Sequence, residues 1–234
     1  MLPDDYFEIG KSCYEKGQYK EAILIFTEAI KGDPNHIRSY FYRGMCNERL
    51  KQYEKAKEDY IKTIGLDINH DYAEAYYGVG NCLRNLNRAD EAIKYYTKAI
   101  ELEANYSVYH DRATCYSWLN KTEVNQALKD EYNEKANSDY KISIEYCTKE
   151  IGLNLNSATA YGVRGSCYGG LLQYSEGISD YTNAIRLDPN YAWAYRGRGI
   201  NYYRLREYDN AIADLKKAVE LNPYYLFTLS GVND

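Results

Sequence analysis

Residues 192–223 read AWAYRGRGINYYRLREYDNAIADLKKAVELNP, and residues 158–189 read ATAYGVRGSCYGGLLQYSEGISDYTNAIRLDP. The two stretches align without a gap at an offset of 34 residues. Both carry Tyr-x-x-Arg-Gly near the start and a proline at the end. Apolar residues recur in each half at spacings of three and four, which is the period of an amphipathic helix. The stretch therefore predicts two helices joined by a short turn, in a unit that repeats along the chain.

The same signature occurs in the rest of the sequence. Gly10 and Gly44 are again 34 residues apart, Gly80 follows after 36, and a looser copy begins at Tyr109. A proline such as Pro34 ends the second helix of a unit, because proline cannot continue a helix. We expect about six helical hairpins, each of a helix A and a helix B, in residues 3–36, 37–70, 73–105, 106–156, 158–191 and 192–225.

The fourth repeat contains an insertion of about 18 residues, 121–138. Val124, Leu128 and Tyr132 form an apolar stripe there, which predicts an amphipathic helix rather than a flexible linker. We expect an elongated hairpin with roughly nine residues added to each helix, so that both helices still meet their neighbours. Residues 224–234 are expected to form only a partial cap on the last repeat, since they carry almost no charge.

The spacing, the small and aromatic positions and the final proline resemble the tetratricopeptide repeat (TPR) family, over nearly the whole chain. The resemblance implies an all-α fold, a right-handed α-α superhelical solenoid in which residues 1–234 form one array. Some positions depart from the family pattern. Ile68, Ala104 and Leu155 stand in the proline position, and Gly177 replaces the alanine of helix B.

Charged residues vary together between repeats. Helix A carries an arginine and helix B an aspartate in three repeats, as Arg43 with Asp59, Arg164 with Asp180 and Arg198 with Asp214. Where the arginine is replaced by Ile9 or Val79, the aspartate is also absent. This covariation predicts an ion pair inside each hairpin.

The fourth repeat leaves the partner of Arg112 open. If helix B covers residues 140–151, Tyr146 occupies the aspartate position. Asp130 takes that position only if helix B begins near Thr122.

Four of the six cysteines, Cys46, Cys82, Cys115 and Cys167, share one repeat position. Equivalent helices of stacked repeats lie about 10 Å apart, whereas a disulfide requires Cα atoms within about 7 Å. We expect six reduced, buried thiols with no metal among them, in a reducing compartment.

Composition and motifs exclude several classes of function. A net charge of −5 argues against a nucleic-acid surface, and no apolar run is long enough for a membrane span. No nucleotide-binding loop, catalytic triad or cofactor motif stands out from the repeat pattern. We therefore expect a cytoplasmic protein without a cofactor that is not an enzyme.

In TPR proteins the A helices line a concave groove that receives a protein or peptide, and the resemblance implies the same here. Aromatic and arginine side chains, which are enriched at binding hot spots, occupy many of the corresponding positions. The expected groove residues are Phe7, Lys11, Tyr14, Arg38, Phe41, Met45, Arg49, Tyr77, Asn81, Arg84, His110, Arg196, Tyr203 and Arg204. Some TPR proteins grip acidic chaperone tails with a Lys/Asn/Arg clamp, but only Asn81 matches it, which disfavours that function.

The leading hypothesis is thus a protein-interaction scaffold without metal or nucleic acid. The alternative is a self-assembling structural module, or the TPR part of a larger protein, that docks through its C-terminal end. A homodimer formed through this end belongs to the same alternative, because Tyr225, Leu226, Phe227 and Leu229 are apolar.

Overall fold

The computed structural model describes residues 1–68, 72–154 and 156–228, and in this part of the chain every regular element is a helix. The helices are α1 (Pro3–Glu15), α2 (Tyr19–Gly32), α3 (Ile37–Arg49), α4 (Tyr53–Leu66), α5 (Ala73–Asn85), α6 (Ala89–Leu102), α7 (Tyr106–Thr122), α8 (Gln126–Leu153), α9 (Ala158–Gly170), α10 (Tyr174–Leu187), α11 (Ala192–Arg204), α12 (Tyr208–Leu221) and α13 (Tyr225–Thr228). Odd-numbered helices α1 to α11 are the predicted A helices, and the even-numbered ones are the B helices. The all-α fold class is confirmed. Parts of the predicted repeats at 69–71 and 155, and the cap at 229–234, lie outside the described residues.

Two compact units make up the chain. The first comprises Met1–Ala104 with Trp118–Lys129, and the second Asn105–Ser117 with Asp130–Asp234. In the first unit α1 to α6 form three consecutive hairpins, with α2 packed on α3 and α4 on α5. In the second, α9 to α12 form two hairpins, with α10 packed on α11. None of the described helices has the length and apolar character needed to cross a membrane.

An aromatic ring of helix B packs directly on the glycine of helix A in the same hairpin. A Cβ atom added to Gly10 would lie 2.7 Å from the ring of Phe26, and one added to Gly80 would lie 2.5 Å from that of Tyr96. Both distances are far inside van der Waals contact. Any side chain at these positions of helix A would displace the ring. The packing of the ring on glycine therefore offsets the cost of about 1 kcal/mol that glycine has in a helix interior.

The predicted arginine–aspartate pairs form in all three hairpins. Two guanidinium nitrogens of each arginine donate to the two carboxylate oxygens, with shortest distances of 2.7 Å in Arg43–Asp59, Arg164–Asp180 and Arg198–Asp214. The remaining nitrogen, Nη1, reaches back to the preceding B helix. It donates to a threonine hydroxyl 16 positions earlier, at Thr27, Thr148 and Thr182 respectively. Each arginine thus ties three helices together.

In the fourth repeat the partner of Arg112 is Asp139, with two bonds of 2.8 Å. Neither partner considered from the sequence is right. Tyr146 stacks on Tyr109 at 5.9 Å between ring centroids, and Asp130 lies far from the position that the pairing requires along α8. Asp139 follows its arginine by 27 positions, compared with 16 in the other hairpins.

Helix α8 serves its two neighbours in different registers. In α8, Asp139 is the aspartate that pairs with the arginine of α7, and Thr148 is the threonine that accepts from the arginine of α9. These two residues are separated by about two helical turns more than the corresponding aspartate and threonine of α10. The helix B pattern that the sequence places at residues 140–151 is thus the one that matches the contacts of α8 with α9. α7 has 17 residues and α8 has 28, so the expectation of equal extensions is wrong, and α8 takes most of the added length.

Gly177 replaces the helix B alanine because Asn201 of α11 fills its space. Asn201 stands at the repeat position that holds cysteine in four other repeats, and its side chain is larger than a thiol. A Cβ atom on Gly177 would collide with Asn201 Nδ2 and lie 2.9 Å from the Gly165 carbonyl oxygen. Asn201 Nδ2 is buried and has no hydrogen-bond partner among the described residues. Glycine in place of alanine at position 177 therefore makes room for Asn201, which replaces the smaller cysteine in the next repeat.

All six cysteines are buried thiols. Removal from water raises the pKa of Cys46, Cys82 and Cys147 to about 12. Since the thiolate is the reactive form, these side chains behave as small apolar core residues.

We predict that removing one partner of a pair is more damaging than replacing both. Asp180→Ala should lower the free energy of unfolding by about 3–5 kcal/mol, because it leaves a largely buried guanidinium unpaired. The double substitution Arg164→Val/Asp180→Tyr, which copies Val79 and Tyr95 of the third repeat, should cost less. Chemical denaturation followed by circular dichroism measures both, with the exposed Glu145→Ala as control. A double variant as unstable as the single one would contradict the prediction.

A second prediction concerns Gly177. Alanine normally stabilises a helix by about 1 kcal/mol relative to glycine, and we expect this gain for Gly152→Ala in α8, where a Cβ meets nothing within 4 Å. Gly177→Ala should instead destabilise the fold by about 1–3 kcal/mol through overpacking. In the Asn201→Cys background, Gly177→Ala should lower the free energy of unfolding by less, although the Gly165 carbonyl oxygen remains close. Additive free energies in this double-mutant cycle would rule out the compensation.

Candidate functional site

The inner faces of α3 and α5 enclose a cleft in the first unit with a volume of about 530 Å³. Residues of both A helices line it, together with side chains from α1 and α4. The lining residues are Tyr14, Phe41, Met45, Glu48, Arg49, Lys51, Tyr53, Tyr60, Glu74, Tyr77, Gly78, Asn81 and Asn85. Rings, a thioether and aliphatic stems thus form an apolar surface with polar groups around it.

Tyr60 of α4 forms the floor of the cleft. Its ring lies against Gly44 of its own hairpin and Gly78 of the next, where added Cβ atoms would approach to 3.0 and 2.6 Å. The Tyr60 hydroxyl donates to Glu48 Oε2 at 2.8 Å. Burial, followed by the Glu48 charge, raises the pKa of Tyr60 far above its usual value. The ring is therefore a fixed, neutral floor at any physiological pH.

The walls of the cleft are aromatic. The Phe41 ring lies 5.8 Å from that of Tyr60 and 5.6 Å from that of Tyr72, and Tyr77 lies 5.8 Å from Tyr96. The Tyr96 hydroxyl donates to Asn81 Oδ1 at 2.9 Å. These contacts fix the walls before any ligand arrives, which lowers the entropic cost of binding.

Charges of both signs surround the cleft. Arg49 and Lys51 are basic, whereas Glu48 and Glu74 are acidic. The site can orient a polar backbone or side chain through these groups, but it has no excess of positive charge. Among the described residues, no group of His, Cys, Asp or Glu is arranged to hold a metal ion.

Profiles of the tetratricopeptide repeat family match residues 6–36, 25–58, 73–106, 158–191 and 192–225. These segments cover more than half of the chain. The chain belongs to the tetratricopeptide repeat family.

Relatives and solved structures agree with this assignment. DnaJ homolog subfamily C member 7 of Mus musculus is 39% identical over 64 residues, which are 26% of this chain and 13% of the relative. Hsp70-Hsp90 organizing protein 3 of Arabidopsis thaliana is 32% identical over 66 residues, 28% of this chain and 12% of the relative. The crystal structure of a tetratricopeptide repeat protein from Parabacteroides merdae aligns with a TM-score of 0.65 at 18% identity, over 93% of this chain and 77% of that one. The matched segment thus covers only about an eighth of the length of each of these two curated relatives.

The structure brings six of the predicted groove residues together in the cleft. They are Tyr14, Phe41, Met45, Arg49, Tyr77 and Asn81. Arg84 lies beside it and donates from Nε to the Tyr96 hydroxyl at 3.2 Å. Lys11 is half-buried on α1 and does not line the cleft.

Phe7 was expected to face a ligand, and its burial contradicts this. Its side chain is 0% exposed, because the next hairpin covers it. The Arg38 guanidinium lies 3.9 Å from the Phe7 ring centroid, and Tyr42 meets the ring edge-on at 5.3 Å. Arg38 itself is exposed and also pairs with Glu8 at 3.4 Å.

The remaining predicted residues lie in the second unit. His110 is buried and bonded to Ser166 Oγ at 2.8 Å. Arg196 is half-buried on α11. Tyr203 and Arg204 are exposed at the end of α11, where the Tyr203 ring contacts Tyr208 at 5.7 Å.

Sequence reasoning missed the contribution of helix B and of the A–B turn to the cleft. Tyr53 and Tyr60 of helix B and Lys51 of the A–B turn line the cleft but were not among the predicted groove residues. The available signal was Gly78, a second glycine directly after Tyr77. A glycine at that position opens the inner face and lets the Tyr60 ring reach the cleft.

Proposed function

We propose that this TPR array is a non-catalytic protein-interaction scaffold, which binds a peptide or protein segment in the groove lined by its A helices. The observation that carries the proposal is the aromatic cleft between α3 and α5. Concave, mostly apolar clefts with a few placed polar groups are the usual form of a ligand site. Tyr, Phe, Met and Arg, which line this one, are the residue types enriched in protein interfaces.

The composition of the cleft supports one class of ligand. A segment with a large apolar side chain would place it against Phe41, Met45 and Tyr77, with the Tyr60 ring beneath. Its backbone would lie near Asn81 and Asn85, whose amides can donate and accept hydrogen bonds. The mixed charges around the cleft do not favour a strongly acidic tail.

The relatives support the general role. The name of the Arabidopsis relative describes a protein that organises Hsp70 and Hsp90, and it matches this chain in a TPR segment. We extend to this chain only the holding of a protein partner. The six buried thiols support a location in a reducing compartment, and we propose the cytoplasm.

The test uses peptides selected from a random library displayed on phage, with the intact chain as bait. We predict that Phe41→Ala/Tyr77→Ala weakens binding of a selected peptide by roughly 30-fold or more, the equivalent of about 2 kcal/mol for lost hot-spot contacts. Isothermal titration calorimetry measures the affinity. Met45→Glu, which places a charge in the cleft without removing a ring, should have the same effect.

The matched control is Leu24→Ala/Ile61→Ala. Both residues are exposed apolar side chains of B helices in the same unit and lie outside the cleft. The control should bind like the wild type. If the cleft variants keep full affinity while folded, or if the control loses as much, the cleft is not the binding site.

The exposed apolar side chains of the last hairpin favour a second candidate, self-association. Tyr208 and Ile212 of α12 are each about half exposed, at 52% and 51%, and Leu226 is 60% exposed. The equivalent side chains of α10, Tyr174 and Ile178, are half-buried beneath the following hairpin. Repeat six therefore presents a face that is covered elsewhere in the array.

If this face joins two copies, sedimentation velocity over a concentration series should show a reversible dimer. Ile212→Glu/Leu226→Glu should then shift the equilibrium to monomer, because a charge opposes burial of the face. The exposed Leu24→Glu in the first unit serves as control. A wild-type chain that stays monomeric at every concentration would exclude this candidate.

A further inference from the structure

The first inner-face ring of the array, Phe7, is covered by an arginine of the same chain. The Arg38 guanidinium carbon lies 3.9 Å from the centroid of the Phe7 ring, and Arg38 Nη2 lies 3.4 Å from Glu8 Oε1. Tyr42, about one turn further along α3, meets the ring edge-on. With these covers the Phe7 side chain is 0% exposed. At this repeat position the chain thus stacks a guanidinium on an aromatic face beside a carboxylate.

The next inner-face ring, Phe41, has the same surroundings on its helix B side. Phe41 stands 34 residues after Phe7. Its ring centroid lies 5.8 Å from that of Tyr60 on α4. In the first hairpin, the Phe7 ring lies at the same distance from Phe26, the equivalent ring of α2. Phe41 is nevertheless only partly buried and lines the cleft. The two rings therefore differ in what covers their other side.

Both residues that cover the first ring are replaced in the following hairpin. Gly78 of α5 stands 36 residues after Tyr42, and its lack of a side chain leaves the second ring open to the cleft. Glu74 stands 36 residues after Arg38, so a carboxylate takes the place of the cation. Glu74 is exposed, lines the cleft, and forms no ion pair among the described residues. The second ring thus lacks an internal cation and has an acidic group in its place.

The basic residues of the cleft lie at its other end. Arg49 is the last residue of α3 and Lys51 follows it in the turn, whereas Glu74 lies in the first turn of α5. Because a B helix separates two successive A helices, α3 and α5 run in the same direction, and a helix of 13 residues is roughly 20 Å long. Arg49 also shares a hydrogen bond with Tyr14. The end of the cleft at Glu74 is therefore acidic, beside the open Phe41 ring.

We propose that this end of the cleft receives an arginine side chain of the bound segment, whose guanidinium stacks on Phe41 and pairs with the Glu74 carboxylate. The arrangement repeats, between two molecules, that of Arg38 on Phe7. An aromatic face attracts a cation, and the parallel N–H donors of a guanidinium match a carboxylate. The aliphatic stem of the arginine would lie along the apolar wall at Tyr77. This inference rests on the proposed function, because it names a side chain that the bound segment contributes.

The test titrates the intact chain with N-acetyl-arginine amide at constant ionic strength, with ¹³C in the methionine methyl groups. The chain has two methionines, Met1 and Met45, so the Met45 signal from the cleft is assigned by its loss in Met45→Leu. We expect a saturable shift with a dissociation constant in the millimolar range. N-acetyl-norleucine amide, which has an uncharged side chain, should bind about tenfold more weakly. N-acetyl-glutamate amide should not bind, because Glu74 repels it.

Substitutions of Glu74 test the ion pair. Glu74→Gln should weaken binding of the arginine amide about fivefold, the size expected for one exposed charge pair. Glu74→Arg should abolish binding, since its own guanidinium would cover Phe41 as Arg38 covers Phe7. The matched controls are Glu58→Gln and Glu58→Arg, which change the charge of an exposed residue of α4 outside the cleft. They should leave the affinity within about twofold of the wild type. Circular dichroism confirms that each variant is folded.

The choice of arginine and the site itself have separate contradicting outcomes. N-acetyl-lysine amide should bind about threefold more weakly than the arginine amide, because an ammonium group is more strongly hydrated and does not stack. Equal affinity of the two cations would contradict the assignment to arginine. A norleucine amide that binds as tightly as the arginine amide would overturn the proposal. Equal effects of the Glu74 and Glu58 substitutions would overturn it as well.

The peptide selected on phage distinguishes failure of this inference from failure of the proposed function. We expect the peptide to contain an arginine, and its replacement by norleucine should weaken binding about tenfold to the wild type and not at all to Glu74→Arg. A peptide that loses affinity in Phe41→Ala/Tyr77→Ala but none in Glu74→Arg overturns only the inference. A peptide that keeps full affinity in the double variant overturns the proposed function. The amide titrations need no peptide and still decide whether the cation site exists.

Discussion

The contact between a helix B ring and a helix A glycine is the constraint on which the rest of the array depends. Phe26, Tyr60 and Tyr96 each occupy the space of an absent Cβ atom on Gly10, Gly44 and Gly80. The ring then extends past its own hairpin to the next A helix, where Gly78 receives Tyr60 as well. One buried side chain therefore fixes both the closure of a hairpin and the stacking of its neighbour. A larger residue at either glycine would change the angle at which successive hairpins meet.

This constraint also explains why tyrosine rather than phenylalanine occupies the helix B ring position in three of the hairpins. A ring that crosses the hairpin has its far edge near the inner face. A phenylalanine would present only C–H bonds to the polar groups there. The hydroxyl of Tyr60 reaches Glu48, that of Tyr96 reaches Asn81, and that of Tyr140 lies 3.2 Å from Ser117. Tyrosine thus supplies an apolar body for the core and a polar tip for the groove. The floor of the binding surface is a consequence of how the repeats stack.

The sequence predicted the features that recur between repeats, and its predictions were wrong where one repeat departs from the others. Covariation between repeats revealed the arginine–aspartate pairs, since the partners appear and disappear together. In α8 the two registers differ by about two turns, a shift that leaves the same face of a helix pointing inward with only about 20° of drift. Apolar periodicity therefore fits Asp139 and Tyr146 as the aspartate position equally well, and only the contact to Arg112 distinguishes them. The prediction that Phe7 faces a ligand was wrong for another reason, because Arg38 and Tyr42, which bury its side chain, belong to the next repeat.

Two arginines of α11, close together in the sequence, have different surroundings in the fold. Arg196 and Arg198 are two positions apart, so they project from different faces. Arg198 points between hairpins, where Asp214 and the Thr182 hydroxyl satisfy it. Among the described residues, no acidic side chain forms an ion pair with Arg196, whose guanidinium carbon lies 5.5 Å from the centroid of the Tyr225 ring. In a repeat protein the same internal partners recur in every unit, so a charged side chain without one is set apart from the scaffold. Of the two arginines, it is Arg198 that belongs to the network joining one hairpin to the next.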